Sequence, residues 1–143
     1  MSEAKRAKTK PIRVLLVEDD ASYTQAALAL FHKLGLQAES AASVAAAIGL
    51  LEDVTGGAHR APHLIVLDLG LGLDSGFEVL RLWKSNPQLT AIPVVVWTGM
   101  KGIDLDLADL FGVAAVVEKL LGVQRLEREV KRVLAALPQP LPS

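Results

Sequence analysis

Leu64-Ile65-Val66-Leu67-Asp68 decides the reading of this chain. Four consecutive apolar residues run into one carboxylate, and Gly70, Gly72 and Gly76 follow it. A short, wholly apolar run closed by turn residues predicts a strand buried on both faces, as in a parallel sheet. In open α/β sheets the ligand crevice lies outside the carboxyl ends of the strands. Asp68 therefore stands where chemistry is expected.

The same pattern recurs on either side. Residues 12–17 form an apolar run that ends in Glu18-Asp19-Asp20, and residues 92–97 form another that ends in Thr98-Gly99. Residues 113–117 run into Glu118-Lys119, and residues 36–40 make a weaker strand. Between these runs the apolar spacing turns helical. Ala27, Leu30, Phe31 and Leu34 predict a helix that Gly35 stops, and Ser43 is an N-cap for an alanine-rich helix reaching about Val54. Residues 55–62 read as a loop. Phe77, Leu80 and Trp83 predict a helix closed by Asn86-Pro87, and residues 103–111 a helix in which Asp104, Asp106 and Asp109 interleave with leucines. Val123, Leu126, Val130, Val133, Leu134 and Leu137 line one stripe of a last helix, with Arg125, Glu127, Arg128, Lys131 and Arg132 opposite.

Five strands alternating with five helices predict an α/β fold, an open parallel sheet covered on both faces. Parallel strands bring their carboxyl ends to one edge, so Glu18, Asp19, Asp68, Thr98 and Lys119 converge on one crevice.

The bulk properties narrow the function. The chain has 143 residues, 51% of them hydrophobic, a net charge of −1 and no cysteine. One domain is expected, without disulfides, thiolate metal sites or a cysteine nucleophile. No apolar run approaches the ~20 residues needed to span a bilayer, and no signal peptide is evident. The near-neutral charge argues against general attraction to nucleic acid or membrane; a cytoplasmic protein is expected. Residues 1–11 read as a basic, flexible leader with Lys5, Arg6, Lys8 and Lys10, residues 12–137 as the domain, and residues 138–143 as a proline-rich tail. His32, His59 and His63 lack metal-ligand spacing and read as surface residues.

Clustered carboxylates repel unless a cation intervenes, and hard oxygen ligands suit a divalent ion such as Mg²⁺. A lysine offsets charge and can hold an anion, and a threonine hydroxyl can donate to a phosphoryl oxygen. Together they make an electrostatic cradle in which a carboxylate can attack phosphorus. Asp68, the lone acid at the central strand's end, is the candidate nucleophile. Taken singly, Glu18-Asp19-Asp20 could serve only as a helix cap and Asp68 as an Asx-turn residue.

These residues resemble the receiver domain of two-component response regulators over roughly residues 12–137. Glu18-Asp19 resembles the family's acidic pair, Asp68 its phospho-accepting aspartate, Thr98 its hydroxyl and Lys119 its lysine, and Gly76 stands at the usual interval after the aspartate. The resemblance implies a (βα)5 flavodoxin-like, doubly wound, five-stranded parallel sheet. It implies a regulatory phospho-acceptor rather than a conventional enzyme, accepting phosphoryl from a histidine kinase or phosphotransfer protein. Mg²⁺ (or Mn²⁺) would be held by Asp19, Asp68 and the Gly70 carbonyl, with Glu18 acting largely through water. Thr98 and Lys119 would contact the phosphoryl oxygens, and Thr98 would move inward on phosphorylation.

Three positions depart from the family pattern. Val116 stands where an aromatic switch residue is usual, Leu120 where proline follows the lysine, and Gly72 where many relatives have proline. No effector domain is expected after the last helix, so signalling would run through a downstream protein target. A homodimer through residues 103–135 would pair Asp104, Asp106 and Asp109 with Arg125, Arg128 and Lys131 of a second copy and weaken with salt. Two other functions remain open: a pseudo-receiver that binds partners without phosphorylation, and a small aspartyl-phosphate phosphohydrolase. The second lacks an acid at Gly70 and room for a substrate cap.

Overall fold

A computed structural model describes residues 11–71, 74–99, 106 and 109–138. The strands in chain order are β1 (Arg13–Val17), β2 (Gln37–Ala41), β3 (Leu64–Leu67), β4 (Gly70–Leu71), β5 (Asp74–Ser75), β6 (Val94–Thr98) and β7 (Ala115–Glu118). Five of them form one parallel sheet in the order β2-β1-β3-β6-β7. This is the expected doubly wound, flavodoxin-like sheet. Its helices are α1 (Ala21–Lys33), α2 (Val44–Thr55), α3 (Phe77–Ser85), α4 (Pro87–Thr90) and α5 (Val123–Ala135). Of the helix expected at 103–111, the described residues Asp106, Asp109 and Leu110 are helical, and Asp104 lies outside the described residues. So do residues 1–10 of the expected leader and 139–143 of the tail.

Strand alternation sorts side chains to the two faces. Leu15, Val17, Ile65, Leu67, Val94 and Val96 pack with Leu51, Leu80 and Trp83 from α2 and α3. Val14, Leu16, Val66, Val95 and Trp97 pack instead with Phe31 of α1 and Leu126 and Val130 of α5. All of these residues are buried, and each large aliphatic side chain so placed contributes about 1.5–3 kcal/mol. The two layers fix the sheet in one register, and the register fixes the strand ends.

Local chemistry sets the helix ends. Gly35 has φ +76°, a left-handed turn that ends α1 at low steric cost. Ser43 caps α2 by accepting from the Ala46 amide at 3.1 Å. Asn86 does end α3, as expected, but it also starts the unforeseen α4, accepting from the Gln88 amide at 2.9 Å ahead of Pro87. A short hairpin, β4 (Gly70–Leu71) with β5 (Asp74–Ser75), occupies the glycine-rich segment after Asp68.

Candidate functional site

Register builds the site. Val17 of β1 lies opposite Leu67 of β3, and the Asp68 amide donates to the Val17 carbonyl at 3.0 Å. The next residues on these strands, Glu18 and Asp68, therefore emerge side by side at the point where the strand order reverses. Thr98 of β6 lies opposite Glu118 of β7, which brings Lys119 to the same edge. Glu18, Asp19, Asp68, Gly70, Thr98 and Lys119 all line one cleft of about 380 Å³. Val116 is not among them; it borders a separate groove with Asp109, Leu121 and Arg125.

The cleft is held by one ammonium group. Lys119 Nζ lies 2.7 Å from Glu18 Oε1 and 3.0 Å from Asp68 Oδ2, and all three side chains are nearly buried, 7%, 1% and 6% exposed respectively. Burial works against the Lys119 ammonium, but hydrogen bonds to Glu18 and Asp68 and their charges outweigh it and hold its pKa above the ordinary lysine value. Burial pushes the Glu18 carboxyl up, and the Asp68 charge adds to that, while Lys119 and the Asp20 amide pull it down. Thr98 is fully buried beside them.

The acids of the first loop divide their work. Asp20 is the helix cap, accepting from the Tyr23 amide at 2.9 Å. Glu18 Oε2 accepts from the Asp20 amide at 3.2 Å, and Asp19 is exposed at the cleft. Asp68 Oδ1 accepts from the Gly70 amide at 3.1 Å, the Asx-turn contact open to it when it is taken singly. Glu18, Asp19 and Asp68 each offer a carboxylate oxygen within 4.8 Å of the others. Three converging hard oxygen donors fit a divalent cation, and the exposure of Asp19 leaves that side open to solvent.

Gly76 supports the aspartate from below. A Cβ there would collide with the Asp68 carbonyl oxygen and lie 2.7 Å from Leu69 Cα. Only glycine lets this turn pass so close under Asp68.

Sequence reasoning overlooked the aromatic wall of the cleft. Tyr23 lines it, and the Lys119 ammonium sits 4.0 Å from the Tyr23 ring centroid. The signal was available: Tyr23 is one helical turn before Ala27, on the face already identified by Ala27, Leu30 and Phe31. Of the histidines, His32 is exposed as expected, whereas the other two are half-buried. His63 is half-buried, its Nδ1 accepting from the Arg13 amide at 3.0 Å, and His59 pairs with Glu39 at 2.9 Å. They lie near a larger cavity of about 570 Å³ at the amino-terminal edge of the sheet, lined by Arg13, Gln37, Glu39 and His59. None of the strand-end acids reaches it.

No protein-family model matches the chain. It is 33% identical over 127 residues to the "Probable methanogenesis regulatory protein FilR2" of Methanothrix harundinacea (strain 6Ac), covering 86% of this chain and 81% of that one. It superposes on the Mn²⁺-bound form of response regulator Rcp1 with a TM-score of 0.75 and 27% identity, over 93% of this chain and 100% of Rcp1. The phosphorylated cyanobacterial phytochrome response regulator RcpA gives a TM-score of 0.70 and 26% identity over 94% and 100% of the two chains. The shared fold and these relatives lead to one assignment: the chain belongs to the response-regulator receiver family.

Proposed function

We propose that this receiver is a phospho-acceptor in which Asp68 takes a phosphoryl group from the phosphohistidine of a histidine kinase or phosphotransfer protein. The observation that carries this reading is the buried Lys119 ammonium bridging Glu18 and Asp68 in the cleft that Thr98 lines. An Asp68 carboxylate oxygen attacks phosphorus; the P–O bond forms as the P–N bond breaks, and the imidazole leaves with the electron pair and takes up a proton. Lys119 and Thr98 meet the phosphoryl oxygens, where negative charge is greatest.

Glu18, Asp19 and Asp68 are the residues to hold Mg²⁺ or Mn²⁺, with the Gly70 carbonyl assigned by resemblance. The bound ion supplies charge neutralisation between the acids and the incoming phosphoryl group. The buried position of Glu18 on Lys119 favours its acting through water, leaving Asp68 and the exposed Asp19 as the direct ligands. The modified domain then signals through a protein target, and the groove beside Val116, with exposed Leu110, Leu120 and Leu121, offers apolar surface for it.

The test is intact mass after incubation with Mg²⁺ and acetyl phosphate. One labile phosphoryl group is expected on the wild type and none on Asp68→Ala. An unlabelled wild type, under conditions that label a known receiver, would favour the pseudo-receiver instead. Val116 in place of the switch aromatic is the observation on that side.

A further inference from the structure

The aromatic wall has no part in the chemistry above, yet it touches the group that the site depends on. Tyr23 stands in the first turn of α1, its amide fixed by the Asp20 cap. Its ring meets the indole of Trp97 edge-on, with centroids 5.3 Å apart and planes at 89°. Trp97 is 2% exposed, packed between the sheet and the α1–α5 layer, and it directly precedes Thr98. The Tyr23 ring thus rests on a side chain that cannot move without opening the core. The Lys119 ammonium lies over both rings, 4.0 Å from the Tyr23 centroid and 5.4 Å from that of Trp97. Both distances are within the ~6 Å at which a ring face attracts a cation, and the attraction grows where water is excluded.

Lys119 is held in the cleft by two carboxylates and two ring faces, and phosphoryl transfer consumes one of those carboxylates. When Asp68 becomes an acyl phosphate, its carboxylate is consumed and the negative charge moves outward onto the phosphoryl oxygens. Lysine is a point charge on a flexible four-carbon stem, so losing the Asp68 contact would free it to swing onto Glu18. The Tyr23 ring face is the nearer of the two aromatic partners, and transfer leaves it unchanged.

We propose that Tyr23 is a positioning residue for the phosphoryl-transfer site: its ring, braced by Trp97, holds the Lys119 ammonium in the cleft while that ammonium exchanges the Asp68 carboxylate for the arriving phosphoryl group. This inference rests on the reading of Asp68 as acceptor. It also locates the aromatic support of this site on α1, while the usual aromatic position in β7 holds Val116.

Two measurements test it. With acetyl phosphate and saturating Mg²⁺, Tyr23→Leu slows labelling of Asp68 by about tenfold, the scale of a partly desolvated cation–π contact. Tyr23→Phe, which keeps the ring and loses the hydroxyl, restores the rate to about twofold of wild type or better. Without any phosphodonor, NMR of ¹³C-lysine-labelled protein finds the Lys119 Cε protons shifted upfield by the ring in wild type and Tyr23→Phe, and relaxed toward ordinary lysine in Tyr23→Leu. A wild-type rate in Tyr23→Leu overturns the proposal, as does a Tyr23→Phe variant as slow as Tyr23→Leu. A Lys119 shift that Tyr23→Leu leaves unchanged overturns it as well. An unlabelled wild type would instead overturn the acceptor reading, and the NMR result would then decide by itself whether Tyr23 holds Lys119.

Discussion

The two edges of the central sheet are made by the same strands and finished in opposite ways. At the carboxyl-terminal edge, Glu18, Asp68 and Thr98 are the buried polar or charged side chains among the described residues, and Lys119 is 7% exposed among them. At the amino-terminal edge, Arg13 donates through Nη2 to the Ala61 carbonyl at 2.7 Å, its amide donates to His63, and Glu39 and His59 pair near the solvent. Burying an ion pair carries a desolvation penalty that the pair's own attraction often fails to offset. At the amino-terminal edge Arg13, His59 and His63 are only half-buried, so the strands there end with a smaller penalty. Among the described residues, fully buried carboxylates stand at the carboxyl-terminal edge alone, and that edge should respond differently to every perturbation.

The largest difference is expected from removing one cation at each edge. Lys119→Met leaves the buried Glu18 and Asp68 carboxylates facing each other, which costs about 3 kcal/mol and lowers Asp68 labelling by about a hundredfold. Mg²⁺ recovers part of the lost stability, because a cation bound only by the folded state stabilises it by mass action. Arg13→Met at the other edge removes a half-exposed donor and costs about 1 kcal/mol, with labelling intact. Urea unfolding of both variants with and without Mg²⁺ measures the contrast. Equal losses, or a loss in Lys119→Met that Mg²⁺ leaves untouched, would erase it.

A smaller effect is expected from steric crowding. At Gly76 an added methyl meets the backbone of Asp68 and Leu69, which cannot yield as a flexible side chain can. Gly76→Ala should destabilise by about 1–3 kcal/mol and slow labelling by displacing Asp68. Gly49, inside α2, has nothing within 4 Å of a built Cβ, so Gly49→Ala should stabilise by about 0.5–1 kcal/mol. Thermal melts of the pair, alongside labelling, separate crowding under Asp68 from the ordinary effect of glycine. A Gly76→Ala variant as stable as wild type would mean that the turn relaxes freely and does not support Asp68.

What could be read in the sequence follows from how local each signal was. The strands β1, β3 and β6 announced themselves because both faces are buried, leaving no polar alternation to confuse them. Strand order then placed Glu18, Asp68, Thr98 and Lys119 together without knowledge of a single contact. Strand ends were less legible: the run at 92–97 starts pairing only at Val94, since Pro93 has no amide and offers its carbonyl to Ile65 at 3.0 Å. The hairpin after Asp68 and helix α4 depend on turn chemistry at glycine and at Asn86, where several outcomes share one composition. The division of labour among three successive acids was hidden because it depends on Lys119, a hundred positions away in the chain. The place of Tyr23 on the inner face of α1 was legible from its spacing to Ala27, but its partners Trp97 and Lys119 reach it only through the fold.

The least effect expected at the amino-terminal edge is a titration. Burial, and then the charges of Arg13 and Arg60, push the His63 imidazole below its ordinary pKa, and its Nδ1 must stay unprotonated to accept from the Arg13 amide. The unfolded chain therefore binds this proton more readily than the folded one. The stability that neutral His63 contributes is complete above the unfolded value of about 6.5 and is lost as pH falls through that value toward the folded one. His59 runs the other way: the Arg60 carbonyl and then Glu39 raise its pKa, so its contribution is present in acid and fades as pH rises. His63→Asn keeps an acceptor near the Nδ1 position and cannot titrate. Its melting temperature, compared with wild type, should gain at about pH 5.5 and match at about pH 8, while Asp68 labelling stays the same at both. A labelling rate that followed the His63 substitution would connect the two edges and end the separation between them; a melting difference independent of pH would mean that His63 acts by shape and not by charge. The pH arm also bears on the site, because a proton taken up at Glu18 would loosen the grip of Lys119, and only His63→Asn separates that loss from the one at the far edge.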